Sequence, residues 1–162
     1  MAIKRALTQA PVLALPNFEK EFVLETDACE TGVGAVLMQQ GHPLAFLSRA
    51  LGVKNQTLSI YDKECLAILM ATEKWKPYLQ HKQFTIYTDH ISLIHLGDHK
   101  FNTKIQQKAF FHLMGLNYRI VYKKGSTNTA ADALSRRLAQ YSVHAISEAQ
   151  PRWVETVIEG YQ

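Results

Sequence analysis

The chain has 162 residues and a formal net charge of +4, from 18 Lys and Arg against 14 Asp and Glu. That length favours one domain able to bury a real core, and the mild basic excess leaves room for a polyanionic partner. No apolar run reaches the roughly 18 residues of a membrane helix, so no membrane partner is expected, and two cysteines, Cys29 and Cys65, are too few for a disulfide scaffold and read as reduced intracellular thiols.

Residues 2–16 carry two prolines after a short helical start and read as a lead-in. Three β-like runs follow, 21–28 ("EFVLETDA"), 33–40 ("VGAVLMQQ") and 43–49 ("PLAFLSR"). Connections this short imply an antiparallel meander. From Ser59 to Leu79 the period changes: Tyr61, Cys65, Ile68, Leu69, Thr72, Trp75 and Leu79 recur at helical spacing, with Pro77 expected to end or kink the helix. The strand 83–88 ("QFTIYT") comes after this long crossover, so it is expected parallel to an earlier strand. A short helix or turn at 91–97 leads to a second amphipathic helix at 102–116, capped by Asn102 or Thr103 and closed near Gly115. A fifth strand, 117–123, is followed by a loop with Gly125 and a helix at 130–140. The order βββαβαβα predicts an α/β fold, a five-stranded mixed sheet flanked by helices, with three antiparallel strands and then parallel additions.

Four acids fall at the ends of these elements. Asp27 lies near the end of the first strand, Glu64 in the first turns of the long helix, Asp89 after the fourth strand and Asp132 in the first turn of the last helix. If strands one and four are parallel neighbours, Asp27 and Asp89 emerge side by side at the sheet edge where open α/β sheets place their sites. Four clustered anions would need a cation, and all-oxygen ligands suit hard ions such as Mg²⁺ or Mn²⁺. Two such ions about 3.5–4 Å apart can activate water and stabilise a leaving oxygen in phosphodiester hydrolysis. Taken singly, each acid has a plainer account: Asp132 as a helix-dipole partner, Glu64 as a solvated helix residue, Asp89 as a cap, Asp27 on a turn amide. Their joint placement is what favours a site.

The stretches "PVLALPNFEKEFVLETDA", "GHPLAFLSRAL", "YDKECLAI", "YTDHISL" and "NTAADALSR", in this order over residues 5–137, closely resemble the RNase H domain of gypsy-type LTR retrotransposon Pol polyproteins. The resemblance implies an RNase H-like fold and a metal-dependent endonuclease that cuts the RNA strand of RNA–DNA hybrids during reverse transcription. It implies two Mg²⁺ ions, replaceable by Mn²⁺, on Asp27, Glu64, Asp89 and Asp132. It also implies a cytoplasmic, virus-like-particle setting and two neighbours in the polyprotein. Residues 1–16 resemble the tail of the polymerase connection region, 17–140 the RNase H domain, and 141–162 the tether towards integrase. The chain is thus expected to be an internal piece with Met1 added. Trp153, Val157 and Tyr161 form one apolar stripe, expected to dock on the nuclease or to self-associate through 151–161.

The chain departs from the family at three places. Cys29 stands where the family usually has Ser, and the loop 123–131 lacks the histidine that many relatives carry before the last acid. The basic handle of cellular relatives is also missing, since 90–101 holds only Lys100 as a permanent cation, so hybrid affinity is expected to be modest. His90 is a candidate substitute for the missing histidine, and Arg49, Lys104, Lys123 and Lys124 are candidate phosphate contacts. Glu64 and the backbone near Ala28–Glu30 are candidate readers of a 2′-hydroxyl. Glu25 is expected to pair with a cation or sit at the sheet margin, and Trp75 and Tyr78 to pack in the core or at its rim. Two alternatives are a non-catalytic connection-type domain and a host-recruited binding domain with the same fold.

Overall fold

The computed structural model describes residues 15–97 and 100–136. The stripe at 151–161, residues 137–140 of the expected last helix, and nearly all of the lead-in lie outside these residues. Strands β1 (Val23–Ala28), β2 (Gly32–Gln39) and β3 (His42–Ala50) form the expected antiparallel meander. β4 (Phe84–Thr88) lies parallel to β1, and β5 (Tyr118–Tyr122) parallel to β4. The sheet order is β3-β2-β1-β4-β5. The β2–β3 hairpin turns on Gln40 and Gly41, both at positive φ, which suits the right-handed twist of the flanking strands.

A short helix α1 (Val53–Gln56), which the sequence pattern does not announce, buries none of its residues. The long helix α2 (Ile60–Lys74) begins at Ser59, whose hydroxyl accepts the Asp62 amide. It stops at Trp75, and a separate turn α3 (Lys76–Leu79) carries Pro77 in its first positions. Proline has no N–H to give to the preceding turn, so the break falls where the sequence places it. A 3-10 turn (Ile91–His95) precedes α4 (Lys104–Met114), which Thr103 caps. A second 3-10 turn (Gly125–Thr127) leads into α5 (Thr129–Arg136). Among the described residues no helix is long and apolar enough to cross a membrane.

The sheet has two differently dressed faces. Leu24, Ala35, Leu37 and Ile86 pack with Cys65, Ile68, Leu69, Trp75 and Leu79, so α2 and α4 cover one face. Trp75 is core, and Tyr78 packs at its rim, stacked on Phe18. Residues alternate across a strand, so Gly32 and Gly34 point to the other face, where α5 lies. A Cβ on Gly34 would press on the Ala131 carbonyl and come within 2.6 Å of Ser135 N. The missing side chains therefore let the α5 backbone settle directly on β2. Glu25 shares this face, is 5% exposed, and is ion-paired with Lys123, whose ammonium lies 5.5 Å from the Tyr87 ring centre.

The α2–α4 junction is locked by a buried carboxylate. Asp62 accepts Thr103 Oγ1 at 2.7 Å, Gln106 Nε2 at 2.8 Å and Ser59 Oγ at 2.8 Å. Burial raises its pKa, but these three donors outweigh it and hold the carboxyl below the ordinary range.

Candidate active site

The parallel β1–β4 ladder pairs Val23 with Thr85, Leu24 with Ile86 and Glu25 with Tyr87. The same register carried two residues on sets Asp27 opposite Asp89. Across the antiparallel side, Asp27 pairs with Gly34, so a side-chain-free position lies beside the acid. Glu64 arrives from the α2 face, in the second turn of that helix. Carboxylate oxygens of Asp27, Glu64 and Asp89 all lie within 4.8 Å of one another. Three of the four acids expected from the sequence are thereby brought together.

Asp132 stands apart from this group. It is on α5, and its carboxylate is ion-paired with Arg136 at 2.5 Å, one helical turn away. Its charge still acts on Asp27. The α5 helix is also tied to Asp27 directly, because Ser135 Oγ donates to Asp27 Oδ2. Sequence reasoning did not single out Ser135. Its spacing of three residues from Asp132 puts both on one side of the helix, and that was the available signal.

The electrostatics are those of an uncompensated acid cluster. Burial, followed by the Asp27 and Asp89 charges, pushes Glu64 up to about 8 against the lowering pull of the Ala28 amide. Burial also leads at Asp27, raised to about 6 by it and by Asp89 and Asp132 despite the Ser135 hydrogen bond. Glu64 Oε1 accepts the Ala28 N–H at 3.0 Å, while Oε2 is buried with no hydrogen-bond partner. A buried carboxylate oxygen without a donor is costly unless something else meets it. An oxygen-only trio with one such orphan fits a hard divalent cation.

The surrounding residues sort themselves by their contacts. The Ala28 N–H is already given to Glu64, and the Cys29 N–H to the Gly32 carbonyl at 2.8 Å. Cys29 Sγ donates to the Ser135 carbonyl at 3.0 Å, which gives this thiol a structural contact beside the site. Asn128 is wholly buried, and its Nδ2 donates to the Thr26 carbonyl at 3.0 Å. Gly125 passes so close that a Cβ there would sit 3.0 Å from Asp89 Oδ2. His90 lies edge-on against Tyr61, with Nδ1 buried and unpaired. Of the candidate phosphate contacts, Arg49, Lys104 and Lys124 are exposed, whereas Lys123 is committed to Glu25.

Sheet order and strand directions define an RNase H-like α/β domain. The chain belongs to the family of RNase H-like domains found in reverse transcriptase, whose model matches residues 1–86. It is 40% identical over 143 residues to the Pol polyprotein of transposon 297 from Drosophila melanogaster, a match covering 88% of this chain and 14% of that protein. The Drosophila gypsy Pol polyprotein is 38% identical over 129 residues, covering 78% of this chain and 12% of the relative, which bears out the resemblance read from the sequence. The chain thus spans about one-seventh of these relatives' length or less.

Among solved structures, prototype foamy virus protease-reverse transcriptase matches with TM-score 0.64 at 13% identity, over 76% of this chain and 18% of that one. RNase H1 from Halobacterium salinarum matches with TM-score 0.57 at 19% identity, over 70% of this chain and 93% of that one. A foamy viral protease-reverse transcriptase in complex with RNA/DNA hybrid matches with TM-score 0.60 at 17% identity, over 76% and 18%. At these identities the structural likeness speaks for the fold, and it bears out the five-stranded mixed sheet.

Proposed function

We propose that this domain is a ribonuclease H, a divalent-metal-dependent endonuclease that hydrolyses the RNA strand of RNA–DNA hybrids during retrotransposon reverse transcription. The observation that carries the reading is the trio Asp27, Glu64 and Asp89, whose carboxylate oxygens gather within 4.8 Å, together with a buried Glu64 oxygen that no hydrogen-bond donor meets. Membership of a reverse-transcriptase RNase H family and the hybrid bound by a structural neighbour support the substrate class. Asp27, Glu64 and Asp89 would hold one Mg²⁺, and Asp27 with Asp132 a second, with Mn²⁺ able to replace them. When bound, such ions activate water and stabilise the leaving oxygen, here giving a 3′-hydroxyl and a 5′-phosphate.

The chain's own residues supply the orientation. The Ala28 amide fixes one Glu64 oxygen and so limits how the carboxylate beside Asp27 and Asp89 can turn. Arg49, Lys104 and Lys124, which are exposed, would contact phosphates, and Glu64 the 2′-hydroxyl in the wide minor groove. Polymerase and integrase regions of a polyprotein are the proposed covalent neighbours, in a cytoplasmic virus-like particle.

The test is cleavage of a labelled RNA–DNA hybrid with Mg²⁺ or Mn²⁺ by the parent and by Asp89→Asn. The reading expects RNA-strand cuts by the parent and a loss of at least about a hundredfold in the variant, the scale of removing one charge-stabilising group. An inert parent, or equal cutting by both, leaves a non-catalytic binding domain as the better account.

A further inference from the structure

We propose that Ser135 is the positioning residue of Asp27, its hydroxyl holding the carboxylate in the orientation in which it would meet a divalent cation. The inference rests on the metal-site reading above and adds to it a residue from the last helix. Ser135 is 0% exposed, and its Oγ donates to Asp27 Oδ2 across 108 residues of sequence. The same oxygen lies 2.9 Å from the Asp132 carbonyl, a second, uncharged acceptor for the one hydroxyl hydrogen. A hydroxyl has one hydrogen to give, and the charged acceptor takes it in preference to the carbonyl.

The hydroxyl's place is set by the backbone around it. Cys29 Sγ holds the Ser135 carbonyl at 3.0 Å, and Ser48 Oγ holds the preceding Leu134 carbonyl at 2.6 Å. A Cβ on Gly32 would collide with the Ser135 carbonyl, and one on Gly34 would lie 2.6 Å from its amide nitrogen. The serine backbone is thus pinned by two side chains and pressed onto two bare strand positions. Its hydroxyl is presented to Asp27 with little freedom, as outer groups that orient metal ligands require. A serine that only bonded the carbonyl three residues back would be an ordinary helix serine with no bearing on Asp27.

Mn²⁺ binding to the full chain, measured by calorimetry alongside the melting temperature, separates these roles. Ser135→Ala should weaken Mn²⁺ binding about tenfold, the low end of what losing an outer hydrogen bond to a metal ligand costs. Ser135→Thr, which keeps the hydroxyl, should bind within about threefold of the parent, and Ser135→Cys, a weak donor, should fall between. If the alanine chain fails to fold, the threonine–cysteine order decides in its place. Unchanged or tighter binding by Ser135→Ala, or equal binding by the threonine and cysteine variants, overturns the role of Ser135. A parent that binds no Mn²⁺, or a Glu64→Gln variant that binds as well as the parent, overturns the metal site itself, which is a separate result.

Discussion

Glu64 is 2% exposed and sits beside two other acids, so at neutral pH the fold either protonates it or strains to keep it charged. The sign of the consequence follows from linkage. Its folded pKa of about 8 lies above the ordinary 4.5, and Asp27 at about 6 lies above 3.8. The folded state therefore binds protons more tightly than the unfolded chain, and stability falls as pH rises through about 5 to 8. Asp62, held low by its three donors, works in the opposite direction only near and below its ordinary 3.8. The metal-free chain should melt at a higher temperature at pH 6 than at pH 8, and millimolar Mg²⁺ or Mn²⁺ at pH 8 should recover the difference. Glu64→Gln should flatten this pH dependence. A metal-free melting temperature that is level across the range would contradict the buried cluster.

At the scale of elements, α5 carries Asp132 and Ser135, and its seat on the sheet depends on two residues with no side chain. Gly34→Ala puts a methyl against the Ala131 carbonyl and the Ser135 amide, where neither backbone can give way without moving the helix. The cost should be about 1–3 kcal/mol in chemical denaturation, as for other overpacked sites. Amide exchange should rise in 129–136 and stay slow in α2 and β1, with hybrid cleavage lost beyond what the stability change explains. Fast exchange spread evenly over the domain would mean that α5 is no separate latch. Much of this scale was legible beforehand. The switch from alternation to helical spacing at Ser59 gave the meander and α2, and Pro77 marked the break at Trp75. What was not legible acts across the chain. Ser135 reaches Asp27 over 108 residues and Asn128 reaches Thr26 over 102, and no local pattern encodes such meetings. The helix Val53–Gln56 went unread because it buries nothing and so leaves no periodic trace.

For the whole molecule, a net charge of +4 is small for the proposed hold on a nucleic-acid hybrid. Lys123, which from sequence was a phosphate candidate, is neutralised by Glu25, and Arg136 is paired with Asp132. Of the proposed phosphate contacts, Arg49, Lys104 and Lys124 remain exposed, and so short a set should bind hybrid weakly in the isolated domain. With roughly three or four phosphate contacts, affinity measured by anisotropy in Ca²⁺ should drop on the order of tens-fold between 50 and 200 mM salt. Joined to the polymerase region, the same domain should bind far more tightly, because the second contact becomes intramolecular. Salt-independent binding by the isolated chain would point to recognition through bases or apolar contacts.

The fork between β1 and β4 has one more consequence. The Phe22 carbonyl accepts the Thr85 amide at 3.1 Å, and carbonyls two and four residues on point the same way. At Thr26 that acceptor is met by the side chain of Asn128, a wedge from the far end of the chain. Backbone and amide, rather than mutual repulsion, therefore set how far apart Asp27 and Asp89 stand. The gap is built like a fixed jaw: neutralising one acid removes a charge and leaves the opening as wide as before. A jaw held open from behind would spend none of the proposed cation's binding energy on prising carboxylates into place.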